Sequence, residues 1–249
     1  MYSTYPETID PVYALHAHES RSSRYSFINT GDIINTFNNN GFEVSNVTYP
    51  KLRKHSKEGY QHHLVRMRPT NPYMYEGEVP EVIIMNSHDG TKAFRLGLGF
   101  FRFVCSNGLI AGDFLADTGR VLHKGNIQDT VLEYIGNFSK NVTEKIRHIT
   151  EMKTITLSLD ERAEFASKSA ELINPSIKNH YELLFVNRLA DKEPTLWNTF
   201  NVIQENAMKG NFNVQVSDNK QHKARPVNNI TRKVSINTNL WNLAEEYID

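Results

Sequence analysis

Four arginines stand where charge is least expected. Arg66 and Arg68 sit two apart in HHLVRMRP, and Arg95 and Arg102 interrupt the apolar and aromatic run FRLGLGFFRFVC. Side chains alternate between two faces of an extended segment, so Arg66 and Arg68 share one. The odd separation of Arg95 and Arg102 puts them on opposite faces unless Gly97 and Gly99 introduce a bulge. Arg66, Arg68 and one of the second pair would then line a cationic groove beside Tyr60 or Phe101. Guanidinium groups on phosphates and aromatic rings under bases are the chemistry of single-stranded nucleic-acid binding. A second basic segment carries Lys220, Lys223, Arg225, Arg232 and Lys233, and could extend that surface. The competing reading is a set of solvated strand-face charges in ordinary ion pairs.

Other reactive residue types point less clearly to chemistry. Cys105 is the chain's single cysteine and follows Phe100, Phe101, Phe103 and Val104, which marks a buried core thiol. One cysteine permits neither an intrachain disulfide nor a cysteine-rich zinc site, and fits a reducing compartment. His62 and His63 are adjacent on a predicted strand, so they point to opposite faces and do not share a ligand sphere. Asn86-Ser87-His88-Asp89 leads into Gly90 and reads as a hairpin turn with His88 exposed. The chain has no HExxH, phosphate-binding loop, GxSxG elbow or dinucleotide fingerprint, so no cofactor, metal ligand or catalytic residue is assigned. A metal-dependent nuclease or hydrolase would need acids or histidines from distant segments to converge.

The elements that must position these residues form an α+β pattern. Residues 1–28 read as an irregular amino-terminal arm. A sheet-rich region, 29–124, opens with a short helix capped by Asn29 or Thr30, with Ile33, Ile34 and Phe37 inward and Gly41 as its stop. Strands follow at FEVSNVT and HHLVRMRP, then a hairpin whose arms flank His88-Asp89-Gly90, and a turn at Asn107-Gly108. The region 125–249 is mainly helical and could pack as part of the same domain. Val131, Ile135, Phe138, Val142 and Ile146 form an amphipathic stripe. Ser158 and Glu161 make a capping box for a helix burying Ala163, Phe165, Ala166, Ala170 and Ile173. Thr195 caps a third helix that Gly210 stops, with Leu196, Phe200 and Ile203 on its apolar side. A polar loop then leads to a last helix carrying Leu240, Trp241 and Leu243. The fold class is an antiparallel β-meander with an amino-terminal helix, followed by a helical carboxy-terminal half.

Composition narrows the classes further. The 249 residues carry 28 basic and 28 acidic side chains, so any nucleic-acid surface must be a local patch. No stretch approaches the roughly eighteen apolar residues that span a bilayer. The opening MYSTYPETIDPVY lacks the basic and apolar regions of a signal peptide, so the expectation is a soluble, cytoplasmic protein without a membrane partner.

The segment NSHDGTKAFRLGLGFFRFVCSNGL resembles a family of phage- and plasmid-associated proteins known as a domain of unknown function. LWNTFNVIQENAMKG at 196–210 and SINTNLWNLAEEY at 235–247 resemble that family's helical end. The resemblance implies a role in mobile-element biology and carries over no catalytic residue. The order of a short helix, Gly41-Phe42 and a basic meander is similar, at the level of fold, to the Rad52-like single-strand annealing proteins. Together these readings lead to an expected single-stranded DNA-binding protein of a phage or plasmid, annealing or protecting DNA, with self-association into an oligomer compatible with that role. The alternative is a non-enzymatic module that binds a host protein through an aromatic patch including Trp197 or Trp241.

Overall fold

A computed structural model describes residues 10–50, 57–71, 77–102, 107–115, 127–217 and 220–248. Cys105, the basic residues Lys51, Arg53 and Lys54, and residues 1–9 of the arm lie outside the described residues. The chain divides into two compact units. One comprises Met1–Tyr73, Val79–Gly99 and Phe114–Ser139, and the other Met74–Glu78, Phe100–Asp113 and Lys140–Asp249.

Helix α1 (Thr30–Asn39) is capped by Asn29, whose side chain accepts from the Asp32 amide, and buries Ile33, Ile34 and Phe37. Gly41 follows with φ +82°, the left-handed residue that ends the helix and turns the chain into a strand. The five strands β1 (Phe42–Thr48), β2 (His63–Pro69), β3 (Glu78–Asn86), β4 (Arg95–Arg102) and β5 (Asn107–Leu115) are ordered along the sheet as in sequence, an antiparallel meander. The expected fold class is the observed one. The turn expected at Asn107-Gly108 is not there: both residues belong to β5. In β1 the register against β2 shifts between Val44 and Asn46, a β-bulge.

In the first unit, the sheet buries Val65, Met67, Val82 and Ile84. Helix α2 (Ile127–Thr154) begins in this unit. Phe37 meets Phe42 and Tyr134 edge-on, and Phe42 meets Phe138 at 5.0 Å between ring centroids. The buried stripe of α2 runs through Val131, Tyr134, Phe138, Val142, Ile149 and Met152. Ile135 and Ile146, expected inward, are only half-buried, because a straight helix of 3.6 residues per turn drifts off a fixed spacing over 28 residues.

The second unit is built around helix α4 (Leu196–Lys209). Thr195 caps it, Gly210 ends it in the left-handed conformation, and it is buried all round rather than on one side. Helices α3 (Leu159–Ile173) and α5 (Ile230–Glu245) pack on it. The expected capping box of α3 is formed by Ser158 and Glu161. Trp197, Phe200 and Trp241 form a buried aromatic stack, so neither tryptophan contributes to a surface patch. The polar loop expected after α4 is in fact a two-stranded ribbon, β6 (Asn213–Ser217) and β7 (Lys220–Lys223). Its mixed polar composition hides the alternation that ordinarily marks a half-buried strand, since neither strand buries a face.

Candidate functional site

In the first unit, Arg66 and Arg68 do lie on one face of β2, and they converge on one carboxylate. Glu81 of β3 accepts from Arg66 at 2.6 Å and from Arg68 at 2.8 Å, and is itself fully buried. Ser45, in the bulged stretch of β1, donates to the same carboxylate at 3.1 Å. Two cations thus share one buried anion, which offsets the cost of burying it. Arg95 is half-buried on β4 and close enough to His62 to depress its proton affinity. Tyr60 packs against His16 and His18, at 5.6 and 5.2 Å between ring centroids.

The same unit contains a polar cluster that sequence reasoning misplaced. His88 is fully buried, not exposed at a turn. Asp89 and Gly90 do make the turn, with Gly90 at φ +68° and Asp89 accepting from Thr91, while His88 points inward. Thr30 Oγ1 lies 2.8 Å from His63 Nε2 and 3.2 Å from His88 Nε2, and accepts from Asn86 Nδ2 at 3.0 Å. His63 Nδ1 faces the Gln61 carbonyl at 3.0 Å, so that nitrogen carries the proton and Nε2 accepts from the Thr30 hydroxyl. Burial pushes His63 down to about 3, and the neighbouring His88 and His62 act in the same direction. Burial, with Lys92 and Arg95 nearby, holds His62 at about 4, and burial also lowers His88. A hydroxyl on a neutral imidazole is the pairing of an activated nucleophile, and here all four members of the cluster are buried.

In the second unit, Arg102 is 7% exposed and lies 2.8 Å from Asp191, with Glu78 at 3.9 Å. Lys153 joins Glu78 at 3.1 Å, and Arg188 and Lys209 both bind Glu205. Burial raises the pKa of Glu78 despite Lys153 and Arg102. Arg102 is therefore part of an internal charge network rather than a surface for phosphates, while Phe101 beside it is half-buried. Arg66 and Arg68 in one unit are thus engaged differently from Arg102 in the other.

The second unit also carries aromatic rings with open access. A 3-10 helix, His180–Leu184, and the residues after it carry Tyr181, 62% exposed, and Phe185, 68% exposed. They stand on a cleft of about 820 Å³ that is also lined by Phe212, Asn211, Asn213 and Lys223. Asn206, buried on α4, holds this rim in place. Its amide donates to the carbonyls of Leu183 at 2.9 Å and Phe185 at 3.0 Å, and its oxygen accepts from Asn187 and Asn211. The opposite wall is the ribbon, fixed where Gln215 N donates to Ser176 O and Ala224 N to Phe212 O, each at 2.8 Å. Glu182 is the acid of the cleft lining, and its carboxylate is occupied by the Asn213 side chain at 3.1 Å.

Phe212 also lines a second cavity, of about 270 Å³, with Arg225, Arg232, Asn174, Asn228 and Asn229. Lys223 and Arg225 are exposed, as is Arg232, which donates weakly to Ile173 O at 3.4 Å; Lys233 is half-buried. Among the described residues none of Lys223, Arg225 and Arg232 is in an ion pair. The structure places Lys223 on one cleft with Tyr181 and Phe185, two aromatics that the sequence reading did not single out, and Arg225 and Arg232 on the second cavity. Among the described residues, no group of three or more histidines, cysteines, aspartates or glutamates could hold a metal ion. No described helix is long and apolar enough to cross a membrane.

Residues 17–241 match the family described as domain of unknown function (DUF932). The chain belongs to the DUF932 family. It is 30% identical over 246 residues to UPF0380 protein YafZ of Escherichia coli (strain K12), covering 95% of this chain and 87% of that protein. It is 31% identical over 251 residues to UPF0380 protein YfjQ of the same organism, with the same coverage. No solved structure gives a significant match to this DUF932 chain. The matched span contains both the Glu81 cluster and the cleft, so each lies within the family domain.

Proposed function

We propose that this DUF932 protein binds single-stranded nucleic acid in the cleft of its second unit. The observation that carries the reading is the pairing of two well-exposed aromatic rings, Tyr181 and Phe185, with Lys223, Arg225 and Arg232 on adjoining cavities that share Phe212. Every base offers a face to an aromatic ring, and each such stack contributes about 1–3 kcal/mol by alanine substitution, whatever the sequence. The unpaired cations supply phosphate contacts, and the asparagines of the rim offer donors and acceptors to base edges. A duplex keeps its bases stacked inside and presents no free face to Tyr181 or Phe185. In the mobile-element setting that the sequence resemblance implies, such binding would protect single strands or present them for annealing.

Fluorescence anisotropy with one labelled oligonucleotide, single-stranded and as duplex, tests it. The expected outcome is preferential binding of the single strand and a loss of about tenfold or more in affinity for the Tyr181→Ala/Phe185→Ala double variant. Equal binding of both forms, or an unchanged double variant, would sink the stacking model. Binding of neither would leave the exposed rings to the alternative occupant, a protein partner.

A further inference from the structure

The cavity beside the cleft has features that a binding surface for the middle of a strand would not require. Its lining combines two arginines with three asparagines and an apolar floor of Ile173, Phe212 and Val227, and contains no acid. At about 270 Å³ it is much smaller than the cleft of about 820 Å³, and the buried Phe212 lines both. A water occupies about 30 Å³ of liquid, so the smaller space has room for one phosphate with a few waters. Arg232 is steadied over it by the Ile173 carbonyl, and Arg225 lies on the segment that Val227 N pins to Met208 O at 2.9 Å.

Resting on the single-strand reading above, we propose that this cavity is a subsite for the terminal phosphate of the bound strand. The argument is charge complementarity. An internal phosphodiester carries one negative charge, whereas a terminal phosphomonoester, with a second pKa near 6, carries close to two at neutral pH. Two arginines without an acid match the second charge state. Guanidinium groups bind such a group bidentately, through shorter and stronger bonds than neutral donors form.

The experiment titrates the full chain with one single-stranded oligonucleotide in three forms: 5′-phosphorylated, 3′-phosphorylated and unphosphorylated. The readout is the ratio of Kd between unphosphorylated and phosphorylated forms. One phosphorylated end should bind about tenfold more tightly or better, as expected for an added charge-assisted contact. The Arg225→Ala/Arg232→Ala variant should bind every form more weakly and bring the ratio to one, with circular dichroism reporting that it is folded. Tyr181→Ala/Phe185→Ala should weaken all forms alike and keep the ratio. A ratio of one in the unmodified protein overturns the subsite but leaves single-strand binding standing. A preference that survives the arginine substitutions places the phosphate elsewhere and also overturns it. Binding of no form removes both readings.

Discussion

Thr30, His63, Asn86 and His88 are ordinary polar residues whose placement controls how the first unit responds to acid. His62 and His63 are held neutral, with pKa values of about 4 and about 3 against about 6.5 in the unfolded chain. The unfolded state therefore binds more protons between those values, and stability is lost as pH falls from about 6.5 toward 4. Above pH 6.5 the contribution is fully present. The slope should reach up to about 1.4 kcal/mol per pH unit for each histidine. Urea denaturation at pH 7, 6 and 5 reads it directly, and His63→Gln should flatten the curve by its share. A stability independent of pH across that window would show that these imidazoles are not buried as neutral groups. Asn206 illustrates the same dependence on placement. It occupies a position that a helical pattern counts as polar, yet its amide holds the backbone of the aromatic rim.

Among the elements, the β6–β7 ribbon depends most on a single residue outside itself. Gly210 ends α4 at φ +70°, and a Cβ there would lie 2.7 Å from both Ala224 O and Arg225 C. Both neighbours are backbone atoms at the base of the ribbon, so neither can yield without moving Lys223 and Arg225. Gly210→Ala therefore combines a left-handed backbone penalty with a steric one, and should cost about 2 kcal/mol or more. A denaturation midpoint that drops with an unchanged m-value would report this, and a variant as stable as the parent would contradict the close approach. The stop at Gly210 was legible from sequence because helix termini have local signals, as were the caps of α1, α3 and α4. The ribbon itself was not. A strand is recognised by the face it buries, and residues of β7 such as Lys220 and Lys223 bury none.

Across the whole molecule, 28 basic and 28 acidic residues cancel, so long-range attraction to a polyanion is weak and binding must come from local contacts. That makes the salt dependence of the proposed interaction small and countable. Each neutralised phosphate on a single strand contributes about 0.7 to the slope of log affinity against log salt, so Lys223, Arg225 and Arg232 together give a slope of roughly −2. Titrations at several salt concentrations would show it. A steeper slope would bring in further cations, and a slope of zero would remove the phosphate contacts altogether.

By itself the sequence determined the α+β class, the order of helix, meander and helices, the main caps, and the common face of Arg66 and Arg68. These follow from periodicity and terminal chemistry, which act over a few residues. Tertiary structure alone decided which charges are available. Arg66 and Arg68 meet Glu81, Arg102 meets Asp191, and Thr30 meets His88 from 58 residues away. Whether a charge faces solvent or a counterion depends on which distant segment packs against it. A guanidinium keeps its charge on burial, so the fold must supply such a partner to offset the lost hydration, and no local pattern records that pairing.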